Sequence, residues 1–148
     1  MTAISFYHLE RSSLEQVLPQ LLEKTLYLDK RALVLSGSEE RVEALNAHLW
    51  TYDQDSWLPH GSDKDGDPVD QPIWLSVDED NLNNAEFLFL TDGAEARSIG
   101  QFERCFDIFD GTVEISLLAA RERWKRYKDA EYELTYWQQS TVGKWEEK

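Results

Sequence analysis

A single cysteine, Cys105, occurs in 148 residues, so no disulfide can form within the chain, which fits a reducing compartment. No run of eighteen apolar residues occurs, so nothing reads as a membrane-spanning helix. The opening Met1-Thr2-Ala3-Ile4-Ser5-Phe6 has neither a basic start nor a long apolar stretch, and a cytoplasmic location without membrane contact is expected. Positive charge is scarce: 15 Lys and Arg face 29 Asp and Glu, for a formal net charge of −14. Such a surface is unsuited to wrapping nucleic acid, because phosphate binding depends on clustered Lys and Arg displacing counterions. Any anionic partner must be met locally. What the chain does have is apolar and aromatic mass, with 41% hydrophobic residues and six each of Trp, Tyr and Phe. That is too rich for a disordered acidic chain. The length fits one domain, spanning 1–148, that buries roughly 68–70% of its unfolded surface.

Familiar chemical motifs are missing too. For a Gly-x-x-x-x-Gly-Lys-Ser/Thr loop, Gly143-Lys144 has Gln138 in place of the first glycine and Trp145 in place of the hydroxyl residue. For Gly-x-Gly-x-x-Gly, the first strand runs into Glu10-Arg11-Ser12-Ser13, with no glycine to let the backbone approach a pyrophosphate. Asp63-Lys64-Asp65-Gly66-Asp67 imitates a calcium loop, but Pro68 takes the required glycine position and Trp74 that of the bidentate glutamate. The histidines, His8, His48 and His60, lack zinc-like spacing. His8 lies in a strand and reads as a hydrogen-bonded structural residue, while His48 suits a helix end. Cys105, beside Phe106, reads as a small buried hydrophobe. No Gly-x-Ser-x-Gly elbow is present. No catalytic residue, metal site or cofactor site is expected.

Periodicity supplies the organisation. Ile4 to Leu9 reads as a buried strand, and Leu14, Val17, Leu18, Leu21, Leu22 and Leu26 then recur at helical spacing, with Ser12 as N-cap and Glu15 as its capping-box partner. An apolar strand over 31–37, ending at Gly37, and a helix opening at Ser38, with Val42, Leu45 and Leu49 inward, repeat the order. Strand, helix, strand, helix is the signature of a parallel sheet. A long acidic loop follows over 51–71. Strands are expected at 72–77, 85–90 and 104–109, then a helix capped by Thr112 and running to about Asp129, then an extended 133–137. The fold class is α/β: one mostly parallel sheet flanked by helices in three layers.

The informative feature is local. Arg121, Arg123, Lys125, Arg126 and Lys128 place five cations within eight residues. On a helix Arg121, Lys125 and Lys128 fall at i, i+4 and i+7 with Trp124 between them. Cations near a helix C-terminus complement the macrodipole, which accounts for two of them more easily than five. A cationic, aromatic stripe suits an acidic peptide ending in an apolar group, with a carboxylate on Arg and an aromatic side chain against Trp. Single-stranded DNA is a competing ligand, since bases stack on Trp and phosphates pair with Lys.

The opening Phe6-Tyr7, the segment Leu49-Trp50-Thr51-Tyr52-Asp53-Gln54-Asp55-Ser56-Trp57-Leu58-Pro59-His60-Gly61 and the run Ala120-Arg121-Glu122-Arg123-Trp124-Lys125 together resemble the chi subunit family of bacterial DNA polymerase III. The resemblance covers most of the chain. It implies a Rossmann-like α/β domain without nucleotide chemistry, and an accessory, non-enzymatic role. Members of that family bind the acidic C-terminal tail of single-stranded DNA-binding protein and, through the psi subunit, tie it to the clamp loader, so contact with DNA is mostly indirect. By motif, Arg121 corresponds to the tail-binding arginine, Trp124 to the aromatic residue beside it and Lys125 to the following lysine, while Trp50 and Trp57 correspond to pocket aromatics. One departure is Leu117, which stands where some members carry a further basic residue one helical turn before the arginine, an exchange that would either weaken the tail site or shift it toward Lys128. A nucleotide-related enzyme on the same fold and a direct single-stranded DNA binder are the alternatives.

Overall fold

Apolar residues recur along this chain at two periods, and the elements follow them. The computed structural model describes residues 2–51, 60–62 and 67–148. β1 (Ala3–Leu9), α1 (Leu14–Tyr27), β2 (Ala32–Leu35) and α2 (Glu39–Thr51) come first. β3 (His60–Gly61), β4 (Ile73–Ser76), β5 (Phe87–Leu90), β6 (Arg104–Asp110), α3 (Glu114–Asp129), β7 (Glu133–Gln139) and β8 (Trp145–Glu147) follow. Among the described residues the strands form one sheet in the order β3-β4-β2-β5-β6-β1-β7-β8. Every pairing is parallel except that of β8 with β7.

Both faces of the sheet are covered, which is why its central strands read as unbroken apolar runs. Alternate side chains of β2 go to opposite cores. Ala32 and Val34 pack with Val17 and Leu18 of α1 and Val42 and Leu45 of α2. Leu33 and Leu35 pack with Ala120 and Tyr127 of α3. The result is the expected three-layer α/β domain. The connection through α3 passes over β1, so that β7 pairs with β1 on the side away from β6.

Three local expectations need correction. Ser13, not Ser12, is the N-cap of α1, and its partner is Gln16, whose Oε1 accepts the Ser13 N–H at 2.9 Å. Ser12 is engaged elsewhere, its N–H and Oγ both bonded to the Gln139 amide at 3.1 and 3.0 Å, and Glu15 faces Arg41. Thr112 does not cap α3, because its N–H and hydroxyl both donate to Asp110 Oδ1, at 2.9 and 2.6 Å; Val113 is the residue before the helix. Nor is 51–71 loop throughout: α2 includes Thr51, His60–Gly61 form a strand, and Pro68–Asp70 form a 3-10 turn. Two- and three-residue strands such as β3 and β8 are too short to show a period. His60 is buried, with Nε2 3.1 Å from the Asn46 carbonyl oxygen. His48 Nε2 lies 2.6 Å from the Glu15 carbonyl oxygen.

Candidate functional site

The inward face of α3 is Ala120, Arg123 and Tyr127, spaced i, i+3 and i+7 as one helical stripe requires. That geometry divides the basic run. Arg123 enters the core and grips Asp107 of β6 in a fork, Nε to Oδ2 at 2.7 Å and Nη2 to Oδ1 at 3.0 Å. Burial pushes the Asp107 carboxyl above its usual range, and Arg123 works against that. On the same side Arg126 pairs with Glu95 at 2.6 Å. The five cations are therefore not one stripe, since the core takes Arg123 and an acidic loop residue takes Arg126.

The other flank of α3 presents Arg121, Trp124 and Lys125. Together with Ala120, Tyr136 of β7 and Lys148, they line an open cavity of about 430 Å³. Its floor is aromatic and built edge to face: Trp124 stands against Phe6 at 5.2 Å and against Tyr136 at 5.6 Å, with interplanar angles of 74° and 78°. This arrangement sets ring edges on ring faces, which quadrupoles favour. Tyr136 is anchored from beneath, its hydroxyl 2.6 Å from His8 Nδ1. Burial lowers the His8 pKa below the ordinary histidine value; Glu10, 3.1 Å from Nε2, opposes this and Arg121 adds to it. With His8 neutral and its proton on Nε2, Nδ1 accepts from the Tyr136 hydroxyl, while Glu10 lies near Nε2 without a hydrogen bond to it. An apolar floor with cations at its rim can accept an aromatic side chain while pairing with a carboxylate.

Lys128 and the backbone segment that carries Trp50 are placed away from this cavity. Lys128 is exposed on α3 but does not line the cavity. Trp50 belongs to the last turn of α2, and α2 packs with α1 on the sheet face opposite α3, over β3 and β4. At about 4.8 Å per strand, β4 and β7 are roughly 24 Å apart, so the structure does not bring the Trp50 segment to the pocket. Adjacency to a tryptophan motif in sequence carried no information about which face of the sheet the helix covers. Trp57 lies outside the described residues, as do Asp63 to Gly66. Tyr136 and Lys148 were missed. The alternation of 133–137 put Tyr136 on the side of Leu134, but nothing in the sequence pointed to Lys148.

A second cavity, about 360 Å³, opens at the C-terminal ends of β1 and β6, where Ser13, Glu15, Arg41, Asp92 and Asp110 contribute to its lining. Ligands of parallel α/β sheets commonly bind in this region. Its charges face one another here: Arg41 reaches Glu15 at 3.0 Å and Asp92 at 2.9 Å. Burial disfavours ionised Glu15, yet backbone hydrogen bonding and Arg41 outweigh it and hold the carboxyl below its usual range. The N–H groups of Glu10, Arg11 and Ser12, placed where a phosphate is cradled in dinucleotide folds, all donate to Gln139 Oε1 at 3.0, 2.8 and 3.1 Å. Cys105 is fully buried, and burial pushes its thiol pKa well up. Among the described residues no group of three or more His, Cys, Asp or Glu could hold a metal ion, and no helix is long and apolar enough to cross a membrane.

Fold and pocket define an α/β domain in which the turn after β1 is filled by the chain's own glutamine and a cation-rimmed aromatic pocket opens on the last helix. Residues 1–135 match the family model for the DNA polymerase III chi subunit, HolC, and the chain belongs to that family, an accessory subunit of a replicative polymerase. A relative in Rickettsia prowazekii (strain Madrid E), described as a probable DNA polymerase III subunit chi, is 26% identical over 150 residues, spanning 98% of this chain and 91% of that protein.

Proposed function

We propose that the chain is a non-catalytic adaptor of the DNA polymerase III holoenzyme, linking the clamp loader to single-stranded DNA-binding protein by holding that protein's acidic C-terminal tail. The observation that carries this reading is the cavity between α3 and β7, where Arg121, Trp124 and Lys125 surround an aromatic floor. Arg121 takes the terminal carboxylate, the last apolar side chain lies against Trp124 and Tyr136, and Lys125 adds screened attraction, with Lys128 more distant. The psi subunit, where the cell has one, completes the connection to the clamp loader, and contact with DNA is mostly indirect.

Titration with a short acidic peptide ending in Phe tests the pocket. Arg121→Ala is expected to weaken binding by about 2 kcal/mol or more, the scale of an interface hot spot. Lys128→Ala is expected to cost under about 1 kcal/mol, as an exposed charge does. Equal affinity of wild type and Arg121→Ala overturns the assignment. A pull-down from cell extract tests the partner: retention of single-stranded DNA-binding protein must disappear when its tail is removed.

A further inference from the structure

The pocket has a second basic wall beyond the segment that carries the family match. That match ends at residue 135, whereas Tyr136 and Lys148 both line the cavity. Strand register explains how Lys148 comes there. The β7–β8 ladder pairs Trp137 with Glu147 and Gln139 with Trp145, and the Lys148 N–H extends it by one rung, donating to the Tyr136 carbonyl at 2.8 Å. Residues directly opposite in a ladder share a face. Lys148 therefore stands beside Tyr136 on the α3 side, while Trp145 goes with Tyr7 to the α1 side. A slip of one residue would exchange the two sets. The hairpin turn that fixes this register closes through Gly143, at φ 85°, whose N–H donates to the Ser140 carbonyl at 2.9 Å.

Lys148 is free to serve a ligand. Its ion pair is with Glu146 at 3.8 Å, and both side chains are about half exposed, an arrangement that contributes little and yields to a closer carboxylate. Arg121 and Lys125 come from α3 and Lys148 from the hairpin, and all three line the cavity together with Trp124 and Tyr136. One cation suffices for a terminal carboxylate. A further cation, brought in by a separate element, fits a second negative charge on the same ligand.

We propose that Lys148 is a specificity-determining residue of this pocket, pairing with a side-chain carboxylate of an acidic peptide whose terminal aromatic residue occupies the floor. The inference rests on the reading of the cavity as a tail site. Two peptides ending in Phe with a free carboxylate separate the roles, one with a run of Asp before the Phe and one with Asn at every Asp position. In calorimetric titrations Lys148→Ala is expected to lose about three- to fivefold in affinity for the Asp peptide, the range of an exposed ion pair, and to bind the Asn peptide as wild type does. Lys148→Arg restores the Asp preference, and Arg121→Ala weakens both peptides. Equal losses for the two peptides in Lys148→Ala, or no loss for the Asp peptide, overturn the inference while leaving the Arg121 assignment standing. Failure of wild type to bind either peptide overturns both.

Discussion

Gly111 is constrained by a residue more than a hundred positions away. A Cβ at this position would lie 1.8 Å from His8 Nε2, so the ring and the turn after β6 share a space that fits only glycine. Gly111→Ala is expected to destabilise the domain by about 1–3 kcal/mol, the cost of overpacking. Gly111→Ala combined with His8→Ala is expected to lose less than the sum of the two single changes, since the ring that clashes is gone. Urea denaturation of the four proteins measures this, and strict additivity would show that the ring moves aside without cost. The structural role of His8 was legible from its place in an apolar strand. Its partners were not, because Tyr136 and Gly111 reach it only through the parallel pairings of β1 with β7 and β6.

At the scale of the element, α3 does two jobs with one kind of side chain. Arg121, Arg123, Lys125, Arg126 and Lys128 look equivalent in the sequence, yet the helical stripe through Ala120 and Tyr127 turns Arg123 inward to Asp107. Asp107→Ala leaves a buried guanidinium uncompensated and is expected to cost about 3–5 kcal/mol, whereas the paired change Asp107→Leu with Arg123→Met is expected to approach wild-type stability. Equilibrium denaturation of the single and double variants decides it, and a double variant as unstable as the single one would mean that the ion pair outperforms apolar packing here. The 3.6-residue period was available in the sequence, but a charged residue on the apolar stripe hid which cation it selected. β7 likewise shows its alternation plainly and its consequence not at all: Gln139 at its end reaches across to cap the turn after β1.

The whole molecule carries a net charge of −14, and self-repulsion of that size opposes the compact state. Raising salt from about 10 mM to 150 mM shortens the Debye length to about 8 Å, so the melting temperature is expected to rise. Calorimetric scans at the two ionic strengths test this, and a fall instead would show that local pairs such as Arg41 with Glu15 and Asp92 dominate over the general repulsion. The sequence by itself determined the α/β order, the parallel sheet, the acidic body and the concentration of cations on the last helix, because these depend on composition and on periods of two and 3.6 residues. Only the tertiary structure decided which cations face a pocket, that the sheet separates α2 from it, and that Tyr136 and Lys148 complete it. Those outcomes depend on strand order and register, which bring together residues far apart in the chain and leave no local pattern in it.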